Sequence, residues 1–279
     1  MVTVDSSKGL FNEYGIRRPY DELEYKIGNP NWGHRFGVPQ FFGRKRFLQI
    51  LERFWDHLPV GSRLPSSLTF QAYLSAIVEV ISKREDVGNI FNGPCLPLVF
   101  AAGAIQTDLG AYLENTVLAG VKSAYESQFK GGSFRNYCQG ELTGRVNYVP
   151  ESNFKLLLEA MDAGPVVAAY FPDALRGWPI LAAREQMAIL PSDLKFVLPD
   201  AIIHGHAIIG YPDVMARDFI VPGQYCAANT WLSTWRSPEY SLYFKAYGGR
   251  LDFGYTDNLA VTSDCHSAGL LLLLGSRLS

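Results

Sequence analysis

The chain has little charge, few cysteines and no long apolar run, and each shortage removes a class of protein. Its richest apolar stretches, "CLPLVFAAGAI" from Cys95 and "AGLLLLLG" from Ala268, fall far short of the roughly 20 residues a bilayer-crossing helix needs. The opening "MVTVDSSKGLFNEYG" has no basic segment followed by an apolar one, so no secretory signal is expected, and a cytoplasmic or particle-associated setting fits best. Charged residues make up 19% and the net charge is −2, which gives no electrostatic reason to expect nucleic acid or an anionic membrane as partner. The four cysteines, Cys95, Cys138, Cys226 and Cys265, form no CxxC pair, so free thiols are expected rather than a disulfide framework or a zinc site. Absent too are a glycine-rich phosphate loop, a Gly-x-Ser-x-Gly elbow and a His-Glu-x-x-His helix, and no cofactor or metal is expected.

What the chain does have is apolar content. With 48% hydrophobic residues over 279 positions it can bury a large core, as one large domain or two intimately packed ones. Residues 1 to about 40, rich in Gly, Pro, Asn and aromatics, read as an extended arm. "GRKRFLQILERFW" (43–55) has apolar residues at helical spacing and reads as an amphipathic helix with a solvated basic face. The arm and this helix, 1–55, precede a domain over 56–279. Its first part is helical. "LTFQAYLSAIVEVISKR" (68–84) is apolar on nearly every face, with Ser66 or Ser67 as cap. Further helices are predicted in "LPLVFAAGAI", in "GAYLENTVLAGVKSAYESQF" and in "ESNFKLLLEAMDAGP", the last stopped by Gly164-Pro165. After Pro165 come "VVAAYF", "HAIIGY", "DFIVPG", "YCAANTW", "YSLYFKAY" and "LAVTS", short apolar runs set off by Gly, Pro and Asp, which is a strand pattern. The expected fold class is therefore α+β. A helical half (about 56–164) with a buried central helix would pack on an antiparallel β half (about 165–279), with a cleft between them.

One stretch points to chemistry. "HGHAIIGYPD" (204–213), followed by "YCAANTWLSTWRSPEYSLYF", resembles the papain-like cysteine peptidases, in which a His-bearing strand precedes an Asn-Ser-Trp strand and a second Trp. The resemblance spans roughly 60–260 and implies a general-base role for His206, an orienting role for Asn229, and shielding by Trp231, with Trp235 at the second Trp position. It places the nucleophile at the start of the helix over 68–84, where "SSLTFQA" aligns with the family's Gly-Ser-Cys-Thr-Ala-Asn-Ala and puts Leu68 in the cysteine's place. The separation of Leu68 from His206 falls within the roughly 130 to 150 residues typical of that pair. Leucine has neither a proton to give nor a lone pair to share, and loss of such a nucleophile costs about 10⁶-fold in turnover. The family's oxyanion glutamine is missing as well, Ser62 standing near its position.

The expectation is a papain-like fold with its peptidase chemistry lost. Such a chain would act as a structural or interaction subunit, binding protein partners in a larger assembly such as a virus-like particle, with a vestigial cleft that still accepts peptide. The alternative is an active cysteine peptidase that uses Cys95, or Ser67 after a one-residue shift, with His206 and Asn229. A metal site built from His204, His206, Asp200 and Cys265-His266 has no zinc-type spacing. The plain reading of His206 is a hydrogen-bonded core histidine.

Overall fold

A computed structural model describes residues 44–55, 57–58, 60–84, 87, 95–103, 108–216, 223–232, 239–261 and 265–273. The expected N-terminal arm and Trp235 lie outside these residues. The fold class is α+β with largely antiparallel sheets.

The first helices begin where the sequence places them. Helix α1, Arg44–Trp55, buries Ile50 and Phe54. Helix α2, Ser67–Lys83, is capped by Ser66, whose Oγ accepts a hydrogen bond from the Thr69 N–H at 3.1 Å. It buries Phe70 and Ile77, but Leu68 is 81% exposed. The expectation of a helix buried all round is corrected here: α2 lies at the surface.

The central helix comes from the second half of the chain. After α3 (Leu109–Tyr112), a π-helical turn (Leu113–Val117), α4 (Leu118–Gln128), α5 (Phe154–Ala163) and α6 (Ile180–Gln186) comes α7, Ala201–Gly210, with the sequence AIIHGHAIIG and every residue buried. The short α8, Pro212–Met215, follows. The segment expected to be the histidine-bearing strand is thus a helix. Asp200 caps it, its Oδ1 accepting from the Ile203 N–H at 2.8 Å. At the other end Arg53 of α1 donates from Nη1 to the Gly210 carbonyl at 2.9 Å, placing a cation where the terminal carbonyls lack partners. Gly205 makes the burial possible. A Cβ there would lie 2.2 Å from Val117 Cγ1, so only glycine lets the π turn approach this closely. The β-branched content that suggests a strand is overridden by packing on all sides.

Two sheets flank this helix. The first has strand order β1-β4-β10-β5, from Leu96–Phe100, Val166–Phe171, Leu270–Leu273 and Lys195–Val197, all antiparallel. Strand β1 corrects the helix expected over "LPLVFAAGAI". It is an edge strand, where Pro97 is tolerated because the outward-facing N–H groups of an edge have no ladder partner to lose. Along β4 and β10 alternate residues enter different cores: Leu271 and Leu273 join the main one, Leu270 and Leu272 a second on the opposite face. Burial on both faces explains why "VVAAYF" and "LLLL" are unbroken apolar runs.

The second sheet has order β2-β8-β7-β6-β3, from Ser133–Asn136, Arg250–Thr256, Tyr240–Tyr247, Gly223–Trp231 and Val146–Tyr148, with β9 (His266–Ser267) on β6. The β2–β8 and β6–β9 pairings are parallel and the rest antiparallel. "YCAANTW" and "YSLYFKAY" are strands as expected. Residues 259–260 of "LAVTS" form a turn instead, and "DFIVPG" lies outside the described residues apart from Gly223. Helix and strand are not divided at Pro165, since β1, β2 and β3 precede it and α7 follows.

Gly205→Ala reports on this packing directly. An exposed helical Gly→Ala change gains roughly 1 kcal/mol. Here overpacking against Val117 is expected to cost about 1–3 kcal/mol instead, read as a lower urea midpoint, with partial recovery in the Gly205→Ala/Val117→Ala double variant. A raised midpoint for the single variant would contradict the close approach.

Candidate functional site

The polar groups of α7 are all drawn into the core, and each has its own partners. His206 is 1% exposed. Its ring lies against Phe100, stacked with centroids 4.9 Å apart, and against Phe54 at 4.8 Å. Nδ1 lies 3.2 Å from the Val99 carbonyl and Nε2 lies 3.4 Å from the Tyr112 hydroxyl. A carbonyl only accepts, so Nδ1 carries the proton and Nε2 accepts from the phenol. Burial pushes the His206 pKa down to about 4, against the smaller opposing effect of the Val99 hydrogen bond. The Tyr112 phenol is held protonated by burial and secondarily by the nearby Asp200 charge, so it acts as donor and not as nucleophile.

His204 has the opposite tautomer. Nε2 donates to the Tyr225 carbonyl at 3.0 Å, and Nδ1 lies 2.8 Å from the Tyr170 hydroxyl. That hydroxyl is also 2.8 Å from Gln224 Oε1, so one phenol proton is shared between two acceptors. Burial brings the His204 pKa to about 3. Two residues apart on a helix means about 200° around its axis. His204 and His206 therefore point to different neighbours and do not form the common strand face that a metal site would have used. The Asp200 carboxyl is fully buried and Oδ2 has no hydrogen-bond partner among the described residues. Burial raises its pKa to about 7, partly offset by backbone N–H donors led by Ile203.

The residues singled out from the sequence are not gathered around His206. Leu68 is exposed at the start of α2, which begins with Ser67. Asn229 is buried, but Oδ1 accepts from the Ala201 N–H at 2.7 Å and Nδ2 donates to the Asn147 carbonyl at 3.4 Å. Its amide thus secures the first turn of α7, while both nitrogens of His206 are occupied elsewhere. Trp231 donates from Nε1 to the Glu141 carbonyl at 3.0 Å and packs against Tyr240 and Tyr255. Cys95 is buried in the second core, just before β1, and burial alone raises its pKa. The Ser62 hydroxyl is buried as well. All four cysteines are free thiols, with Cys265 the exposed one.

No family model matches this chain. Neither a curated protein nor a solved structure is found that is similar to it.

Several residues that organise this centre carry no sequence signal of their own. Tyr112, Tyr170 and Gln224 are known only by what they meet. Arg184 on α6 donates from Nε to the Ala227 carbonyl and from Nη2 to the Asn229 carbonyl, at 2.8 and 2.9 Å, and its Nη1 pairs with Glu239 at 2.5 Å. It holds β6 where the register with β7 shifts between Cys226 and Trp231. Asp200 does leave a trace, since Asp before an unbroken apolar run is a helix-start signal.

The pH dependence of stability follows from these burials. A histidine lowered from about 6.5 contributes stability that is complete above 6.5 and is lost as pH falls toward the folded value. Asp200, raised from 3.8, acts oppositely, so its contribution declines as pH rises from about 4 to 7. Between pH 4.5 and 6 His204, His206 and the partly buried His266, which burial and then the Lys245 charge lower to about 4, outweigh Asp200 by two protons, and stability is expected to fall by roughly 2 kcal/mol per pH unit on acidification, the His266 share being reduced by its exposure. Asp200→Asn removes the opposing group and should steepen the fall. Urea midpoints measured across this range check both, and a slope unchanged by Asp200→Asn would contradict a buried, protonated carboxyl.

Proposed function

We propose that this chain is a non-catalytic structural or interaction subunit of a larger assembly. The observation that carries the reading is the state of His206, a neutral imidazole with both nitrogens engaged inside the core, packed between Phe54 and Phe100. A general base needs a nitrogen within reach of the proton it removes and a pKa near the working pH. His206 offers neither. The amide that would orient it caps α7 instead, and the aliphatic Leu68 stands in solvent. The sequence resemblance to papain-like peptidases agrees with a lost activity, while the core geometry supports the non-catalytic reading without it.

Cys95 does not supply a substitute. A thiol is reactive as thiolate, and an apolar burial disfavours that form. What is left for function is the surface, where Val60, Leu68, Ile189, Leu232 and Val261 are more than half exposed. Leu181 is tied by its N–H to the Leu259 carbonyl, which brings the exposed end of α6 beside the turn that carries Val261.

The test has two readouts on the full chain. Brief native alkylation with iodoacetamide, followed by mass spectrometry, is expected to modify Cys265 and spare Cys95; rapid labelling of Cys95 would overturn the non-catalytic reading. Light scattering after size-exclusion chromatography over a wide concentration range is expected to show self-association or co-elution with a partner, and a monomer at every concentration would overturn the subunit reading.

A further inference from the structure

The sheet of β2, β8, β7, β6 and β3 has one face in the main core, where Leu242, Phe244, Leu251 and Phe253 point. Alternate positions face the other way, and residues paired in register share a face. Three rows result. Tyr243 pairs with Gly254, and Tyr137 extends β2 beside it, donating its backbone N–H to the Phe253 carbonyl at 3.0 Å. Lys245 pairs with Asp252, which pairs with Arg135. Tyr247 pairs with Arg250, which pairs with Ser133.

Tyr243 packs against the second core and Asp252 is buried, while Arg135, Tyr137 and Tyr247 stand exposed at the outer ends of the rows. Tyr137 and Tyr247 are 54% and 59% exposed. The phenol of Tyr243 lies over Gly254, where a Cβ would meet its Oη at 2.9 Å and Cζ at 3.0 Å, so the glycine makes room for the ring. The one carboxylate, Asp252, is bound by Arg250 at 3.1 Å. Arg135 and Lys245 have no ion-pair partner among the described residues, so the face holds three cations against one anion. The chain's net charge of −2 conceals this local surplus.

We propose that this face binds single-stranded nucleic acid, with bases stacked on Tyr137 and Tyr247 and phosphates neutralised by Arg135 and Lys245. An open sheet presenting aromatic rings for unpaired bases and cations for the backbone is a physical solution that recurs in single-strand recognition. A neutral saccharide would call for exposed carboxylate or amide acceptors, and the only carboxylate of the three rows is buried, with Oδ2 bound to Arg250 and Oδ1 out of reach of a ligand. Duplex DNA keeps its bases stacked inside and gains nothing from the rings. The proposal does not rest on the non-catalytic reading of the core.

Fluorescence anisotropy of labelled oligouridine with the full chain tests it. Binding at low salt is expected to weaken as salt rises. Arg135→Ala/Lys245→Ala should flatten the log–log salt slope by about 1.4, at roughly 0.7 per phosphate. Tyr137→Ala/Tyr247→Ala should weaken binding at least about 10-fold with the slope unchanged. Unaltered melting temperatures of these surface variants would show that folding is intact. No binding at about 20 mM salt would overturn the proposal. So would affinity equal in wild type and both variants, or displacement by polyglutamate without any dependence on the tyrosines, which marks a site for an acidic protein.

Discussion

The structure depends on burying α7 on every side while leaving almost none of its polar atoms unmatched. A buried polar group without a hydrogen bond costs roughly 1–3 kcal/mol, and a buried charge considerably more. Two imidazoles in ten consecutive core residues therefore require surroundings that fix their tautomers and keep them neutral. The Val99 carbonyl and the Tyr112 hydroxyl do this for His206, and the Tyr225 carbonyl and the Tyr170 hydroxyl for His204. The ends of the helix are held by Asn229 from β6 at its start and Arg53 from α1 at its finish. One atom, Asp200 Oδ2, is left over, and a carboxyl that keeps its proton to about neutral pH lowers the cost of leaving it there.

That constraint also orders the fold around the helix. Because α7 contributes apolar surface in all directions, it is met by the π turn and α4, by α1 and by strands of both sheets, which makes one main core continuous from Ile50 to Leu273. The second core, under α6 and β5, lies across the first sheet and is tied to β6 through Arg184. The residues that would be read as a catalytic group are thus the polar fittings of this packing. Asn229 and His206 serve the same helix without touching each other through a hydrogen bond.

Much of the local structure is legible in the sequence where one period dominates. The starts of α1 and α2, the cap at Ser66, and strands β4, β6 and β7 follow from apolar spacing and punctuation. The misreadings share a cause. "HAIIGY" and "LPLVF" are short, fully buried runs, and a fully buried run has no alternation or stripe to reveal its period. Shortness and the Gly and Pro around it give the first the look of a strand, while Asp200 and Pro97 are the local signals against the strand in the first and the helix in the second. The surroundings of His206 were not legible at all, because Phe54, Val99, Phe100 and Tyr112 reach it only through tertiary packing. The cation surplus on the outer sheet face was hidden for the same reason, being assembled from β2, β7 and β8.

The packing around α7 depends on the protonation state and partners of the buried imidazoles, and imidazole ¹⁵N NMR of the full chain reads these directly. His206 is expected as a neutral ring protonated at Nδ1 and His204 as a neutral ring protonated at Nε2, neither changing between pH 5.5 and 8. A His206 signal that titrates near pH 6.5, or that shows the proton on Nε2, would place the ring in contact with solvent or a reacting group and contradict the structural role assigned to it.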